Sequence, residues 1–154
     1  MNATEIKAVL AAHAKWQAGD GGSRANLSGA NLSGANLSGA NLSGAKGVAD
    51  ATAATLRILP DEGDVIGFKK LAGGTICKVR VPAEARRSNA TGRKCRAEYV
   101  DVIEGVGVSA YDGGTKYAPG KRVTCHEWCE DRWLECAGGI HFFITRKEAE
   151  DYEL

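Results

Sequence analysis

Between Arg86 and Arg96 the chain reads Arg-Arg-Ser-Asn-Ala-Thr-Gly-Arg-Lys-Cys-Arg, its densest set of side chains able to do chemistry. Five cations, Arg86, Arg87, Arg93, Lys94 and Arg96, are interleaved with small hydrogen-bonding residues and one glycine. Arg presents a planar fork that matches phosphate or carboxylate, and a glycine lets backbone N–H groups come close to an anion. The chemistry expected here is capture of an anion. The structural alternative is a solvated basic loop, or one paired with the acidic end of the chain. GxxxxGKS/T is absent, so this is no nucleotide-hydrolysing phosphate loop. Tyr99, Tyr111 and Tyr117 follow closely and could stack on a base, or pack on a sheet with their hydroxyls satisfied.

A second group, Cys125, His126, Cys129, Cys136 and His141, invites a zinc reading. Its Cys-x3-Cys spacing departs from the usual Cys-x2-Cys knuckle, and buried free cysteine is common, so no metal and no cofactor is expected. No serine or cysteine comes with a recognisable base and orienting acid, which argues against a hydrolase.

The elements that must position these residues begin with a helix. Asn2 and Glu5 form a capping box for Ala3–Ala18, Ile6, Val9, Leu10, His13 and Trp16 fall on one stripe, and Gly19-Asp20-Gly21-Gly22 stops it. His13 and Trp16 are expected to be structural. Asp50–Leu59 reads equally as short helix or entry strand, and Pro60–Gly63 as a turn. Asp64–Leu71 and Thr75–Val81 form a hairpin, Arg86–Arg96 a basic loop, and Ala97–Glu104 and Val106–Ala110 two strands. Tyr111–Gly120 reads as a long loop, Lys121–Cys125 and Ile140–Ile144 as strands, and Thr145 with Glu148 as the capping box of a last helix. The fold class expected is α+β.

With 154 residues and 44% apolar content, the chain can build one ordinary core or two small ones. Its 20 basic and 19 acidic residues make no overall case for nucleic acid or membrane. The distribution is polar, however. Gly67–Arg96 carries nine bases against one acid, and His126–Leu154 eight acids against three bases. The two parts could fold together, dock on a second copy, or leave the basic part for a ligand. Five cysteines, an odd number, and no charged-then-apolar leader point to a reducing cytoplasm. No apolar run approaches membrane length. The N-x-S/T matches, among them Asn26, Asn31, Asn36, Asn41 and Asn89, are idle without secretion.

Ala25–Ala45 reads ANLSGANLSGANLSGANLSGA. A period of five fits neither helix nor strand, so the chain must turn once per repeat. A flexible Gly/Ser linker would waste Leu27, Leu32, Leu37 and Leu42, which recur in phase. The run resembles the pentapeptide-repeat family. That resemblance implies a squared right-handed β-solenoid, with each Leu and the Ala two residues before it inward, Asn and Ser outward, and four repeats to a coil. One coil leaves two apolar ends, which flanking segments or a second copy must cover, so a homo-oligomer is expected. With no Asp or Glu between Gly21 and Ala49, mimicry of DNA by an acidic solenoid is not expected.

GFKKL, GRKCRAEY, YAPGK and ECAGGIHFFITRKEAEDY resemble a domain of unknown function that follows pentapeptide repeats in phage and prophage proteins. The resemblance implies a phage protein working in a bacterial host's cytoplasm. Gly138–Phe143 also resembles the glycine-plus-strand segment of ADP-ribosyltransferase-like folds, which would put His141 beside NAD, although the only E-x-E pair, Glu148 and Glu150, falls in the last helix.

The organisation expected is therefore helix 1–22, repeat coil 23–49 and α+β domain 50–154. The function expected is non-enzymatic binding of a small anionic, nucleotide-derived molecule, such as a host defence signal. Arg86, Arg87, Arg93, Lys94 and Arg96 would hold the anion, with Tyr99, Tyr117 or His141 against the ring. The rivals are a module docking on a host or virion protein and an NAD-using transferase.

Overall fold

The computed structural model describes residues 1–28, 30, 32, 35, 37, 40–48, 54 and 56–154. The expectations for Asn31 and Asn36, for the outward Ser33 and Ser38, and for most of the first half of Asp50–Leu59 lie outside the described residues.

Helix α1 spans Ala3–Ala18. The expected capping box is made: the Asn2 side chain accepts from the Glu5 N–H at 3.0 Å, and the Glu5 carboxylate accepts from the Asn2 N–H at 2.8 Å. Gly19 closes the helix in the left-handed region, φ 76°. Ile6 and His13 on its stripe are buried, and Val9 and Leu10 partly so.

That stripe lies on the repeats. In each repeat the Ala N–H donates to the Leu carbonyl three residues earlier, Ala30 to Leu27, Ala35 to Leu32, Ala40 to Leu37 and Ala45 to Leu42, all at 3.0 Å. One tight turn per repeat follows from these bonds. After four turns Lys46 returns beside Asn26 in a parallel bridge, with Leu27 N–H donating to Lys46 O at 2.7 Å and Lys46 N–H to Ala25 O at 2.8 Å. Gly47, φ 74°, is needed at the exit because a Cβ there would land on the Ser28 backbone. Ala25, Leu27, Leu37 and Leu42 are buried in one cluster, each leucine contributing about 1.5–3 kcal/mol. That cluster also takes in Ile6, Val9 and Leu10 from α1, and Leu56 and Trp133 from beyond the repeats. Leu27, Leu37 and Leu42 are thus covered from within the chain, and Leu32 is half-buried.

The rest is strands and one short helix. Strand β1 (Val65–Lys70) pairs antiparallel with β2 (Ile76–Val81) across a 3-10 turn at Ala72–Gly74, as the sequence implied. Strands β3 (Arg87–Asn89) and β4 (Cys95–Ala97) follow, then β5 (Tyr99–Glu104), β6 (Gly107–Val108), β7 (Lys116–Tyr117), β8 (Arg122–Thr124), β9 (Ile140–Phe142) and α2 (Arg146–Asp151). They form an antiparallel sheet β1-β2-β5-β8, a second sheet β3-β4-β9 and the β6-β7 ribbon. Phe68 and Phe143 exchange two 2.8 Å backbone bonds that join the two larger sheets. Between them lies a core of Leu71, Val79, Val81, Val100, Ile140 and Phe142 with the thiols of Cys77 and Cys95. The molecule is α+β, and no described helix is long and apolar enough to cross a membrane.

Three segments differ from expectation. Tyr111–Gly120, expected as a long loop, holds strand β7, which pairs back onto β6. Arg86–Arg96 is a hairpin rather than a loop, because Asn89 and Cys95 face the interior and both are buried. The single strand expected over Ala97–Glu104 breaks at Glu98, where the chain passes from one sheet to the other. As for the uneven charge, the acidic end pairs back onto the basic middle: Arg86 with Glu130, and Arg93 with Glu148 at 2.6 Å.

Candidate functional site

Ser88, Arg96 and His141 stand opposite one another on β3, β4 and β9, so their side chains share one face of the three-stranded sheet. The adjacent row, Asn89, Cys95 and Phe142, faces the interior. Over the polar row lies the segment 125–139. Arg96, 1% exposed, fastens it by donating to the carbonyls of Cys129 (2.6 Å), Gly138 (3.0 Å) and Asp131. Its guanidinium also lies 5.0 Å from the Trp128 ring centre, and His141 Nε2 meets Glu135 O at 3.0 Å. This one fastened segment walls two separate cavities.

The first is a cleft of about 330 Å³ whose wall includes Arg57, Arg86, Arg87 and Arg132; among the described residues its carboxylates are Asp61, which pairs with Arg57, and Glu130. Arg86 makes a two-pronged pair with Glu98, at 3.0 and 2.8 Å, reaches Glu130, and lies over the Trp128 ring. Its bond to Glu98 raises its pKa further, so it is charged at any working pH. Arg87 donates to the carbonyls of Gly63 and Pro60, tying the preceding turn to the cleft. Arg132 donates to Asn89 O at 3.0 Å, and burial with Arg57 nearby lowers its pKa. Among the described residues, three buried side-chain polar atoms have no hydrogen-bond partner: Ser88 Oγ, Trp128 Nε1 and Arg132 Nε. All three side chains line this cleft.

The second cavity, also about 330 Å³, is walled by Lys69, Asp112, Tyr117, His126, Gly138 and His141 among others. Burial, aided by the charge of Lys94, holds the His141 pKa down to about 4. A folded-state value below the unfolded one, near 6.5, means that the unfolded chain binds the extra proton more readily. Stability is therefore expected to fall as pH drops from about 6.5 toward 4, by up to about 3 kcal/mol. Urea titrations at pH 7 and pH 5, before most carboxylates titrate, should show the loss, and His141→Gln should flatten it.

The residues expected to act together are dispersed. Arg86 and Arg87 line the cleft, whereas Tyr117 and His141 line the second cavity. Lys94 sits 4.8 Å over the Tyr152 ring and bonds its hydroxyl at 2.8 Å. Arg93 is engaged by Glu148, Arg96 by the three carbonyls, and Tyr99 lies under Arg122 at 4.6 Å. Glu148 itself caps α2. Cleft residues not singled out from the sequence are Arg57, Ser88, Trp128 and Arg132. Among the described residues no group of three or more His, Cys, Asp or Glu is placed to hold a metal ion.

Two family models match the chain. The pentapeptide-repeat model, described as eight copies, matches residues 23–46. A model described as a family of unknown function, DUF5758, matches residues 55–149 and so takes in both cavities. No curated protein and no solved structure matches. With more than half of its length matched by that one model, the chain belongs to the DUF5758 family, and carries pentapeptide repeats ahead of the family domain.

Proposed function

We propose that this protein binds a small anionic molecule of the nucleotide class in the arginine-lined cleft, without transforming it. The observation that carries this reading is the coincidence of four arginines with the three unpartnered polar atoms in one wall. A buried donor without an acceptor costs about 1–3 kcal/mol, a cost that a ligand rich in acceptor oxygens would relieve. Trp128 Nε1 and Arg132 Nε can only donate, and Ser88 Oγ can donate, so all three suit an anion. The Trp128 ring has the Arg86 and Arg96 guanidiniums against it, so a base would stack there by displacing the more exposed Arg86.

In this proposal the repeat run is one turn of right-handed solenoid acting as a brace, and 1–22, 23–49 and 50–154 are its structural parts. Self-association was expected because open leucine ends would need a cover. Leu27, Leu37 and Leu42 are buried within one chain and Leu32 partly so, and on that ground the single chain is the binding unit proposed. Trp16 remains 43% exposed, and light scattering at micromolar concentration should return one chain. A dimer lost in Trp16→Ala would restore the oligomer. A phage setting in a bacterial cytoplasm, and capture of a host defence signal there, follow the resemblance alone.

Isothermal calorimetry of the full chain against pyrophosphate, ADP-ribose and cyclic dinucleotides tests the reading. Binding to at least one is expected, weakening with salt, and weakening about tenfold or more in Arg132→Ala for the loss of a charge-assisted bond. Arg93→Ala, outside the cleft, should bind as the parent does. No heat with any of these, or equal loss in both variants, would remove the cleft as the site.

A further inference from the structure

Lys69 in the second cavity is independent of the arginine cleft. Along β1 the side chains of Val65, Gly67 and Lys69 share one face, and it is the inner one: Val65 is buried and a Cβ on Gly67 would strike the Phe142 ring. A lysine is thus placed where the pattern calls for an apolar residue, opposite the fully buried Cys77. Its ammonium has one protein hydrogen bond among the described residues, to the backbone carbonyl of His141 at 3.2 Å, and lies 5.9 Å from the Tyr117 ring centre. No described carboxylate pairs with it. Lysines in folded proteins are seldom buried without such a pair, and those that are serve often as nucleophiles.

We propose that Lys69 is a carbonyl-capturing amine, forming an imine with a small aldehyde or ketone that enters this cavity. The Nζ lone pair attacks the carbonyl carbon, forming the C–N bond, and the carbonyl oxygen takes up a proton as nitrogen gives one up. The resulting carbinolamine loses its hydroxyl, protonated, as water, while nitrogen sheds its remaining proton and shares its pair to complete C=N. The sum is amine plus carbonyl giving imine plus water, with no oxidant or reductant. The cavity has the size for such a ligand, about 330 Å³, with Val123 and Ile140 as apolar wall. Lys94, outside the wall, adds positive charge that acts on both Lys69 and His141, whereas Asp112 and Glu127 stand in the wall itself, so the cavity sets no demand for a charged substituent.

Burial, helped by Lys94, pushes the Lys69 pKa down to about 8, against opposing effects of Cys77 and Asp112. About a quarter of the amine is then neutral at pH 7.5, against about one part in a thousand for an ordinary lysine. The adjacent Lys70, which donates to the carbonyls of Glu150 and Tyr152, is an internal control.

The test incubates the full chain with glyoxylate and cyanoborohydride, which fixes an imine as a stable secondary amine, and maps adducts by mass spectrometry. Lys69 should be labelled tens of times faster than Lys70, with a rate that levels off above about pH 8 where an ordinary lysine keeps rising. Lys69→Met should lose this fast adduct. Acetaldehyde, a second small carbonyl, should show the same preference for Lys69 over Lys70. Labelling spread evenly over the lysines, or a rate at Lys69 still climbing toward pH 10, would overturn the proposal on the parent protein alone, whether or not the variant folds.

Discussion

Replacing Arg96 with methionine is expected to cost about 3–5 kcal/mol of folding stability, the scale for a buried charged network broken at one partner. The side chain is 1% exposed, and its donors serve three carbonyls on the segment that walls both cavities. Methionine fills much of the same volume, so the loss measures hydrogen bonding rather than a void. Cys129, Gly138 and Asp131 would keep their carbonyls near the sheet without a donor, each at about 1–3 kcal/mol unless the segment lifts into water. Lifting is the cheaper outcome. Urea titration should therefore show a large drop in midpoint, and hydrogen exchange should quicken across 126–138, with Trp128 fluorescence shifting as its stacked guanidinium leaves. Arg96→Lys should rescue little, because one ammonium on a flexible stem does not span three carbonyls as a planar fork does. Arg93→Ala removes a cation from the same hairpin but only a half-exposed ion pair, so a loss under about 1 kcal/mol is expected. Equal losses from Arg96 and Arg93 would mean that Arg96 does not fasten the segment.

How much of this was legible follows from the range of the interactions. Both capping boxes, the Gly19 stop, the β1-β2 hairpin and the turn in each repeat are set by residues within about five positions of one another, and each could be read directly. The basic stretch could not, because its meaning depends on register. Arg87, Ser88 and Asn89 look alike as polar loop residues until β3 pairs with β4, and then alternate between two faces. Arg96 was expected to meet a ligand, and its burial under Trp128 is set by a partner segment more than thirty residues away. The cleft suffers in the same way, since Arg57, Ser88, Trp128 and Arg132 come from three stretches that no local motif connects. Lys69 was no more legible: the alternation of Val-Ile-Gly-Phe-Lys-Lys lets either face of β1 turn inward, and only the burial of Val65 against the exposure of Ile66 sets Lys69 inside.

His13→Ala is expected to cost about 2–4 kcal/mol, from a buried ring lost together with its hydrogen bonds. Fully buried, His13 accepts the Ala25 N–H on Nδ1 at 3.3 Å and donates from Nε2 to Ser43 O at 3.1 Å. With Nδ1 accepting, Nε2 is left to donate. Ala25 opens the repeat run and Ser43 lies near its end, so one imidazole clasps start to finish. Trp16→Ala, which removes the ring stacked on His13 at 5.3 Å but neither hydrogen bond, should cost less. The consequence reaches the segment 125–139, because Ser43 Oγ donates to the Asp131 carboxylate at 2.6 Å, and Asp131 lends its carbonyl to Arg96. Thr91 Oγ1 on Ala40 O, at 2.6 Å, makes a second tie, and Trp133 packs into the leucine cluster. The run and the strands should consequently unfold in one transition, and His13→Ala should lower its midpoint rather than split it. Hydrogen exchange in that variant should quicken at Leu27 and Lys46 and also at 131–134. Acceleration confined to the repeats, or two separate transitions, would show that the repeat run stands beside the stranded domain without bracing it.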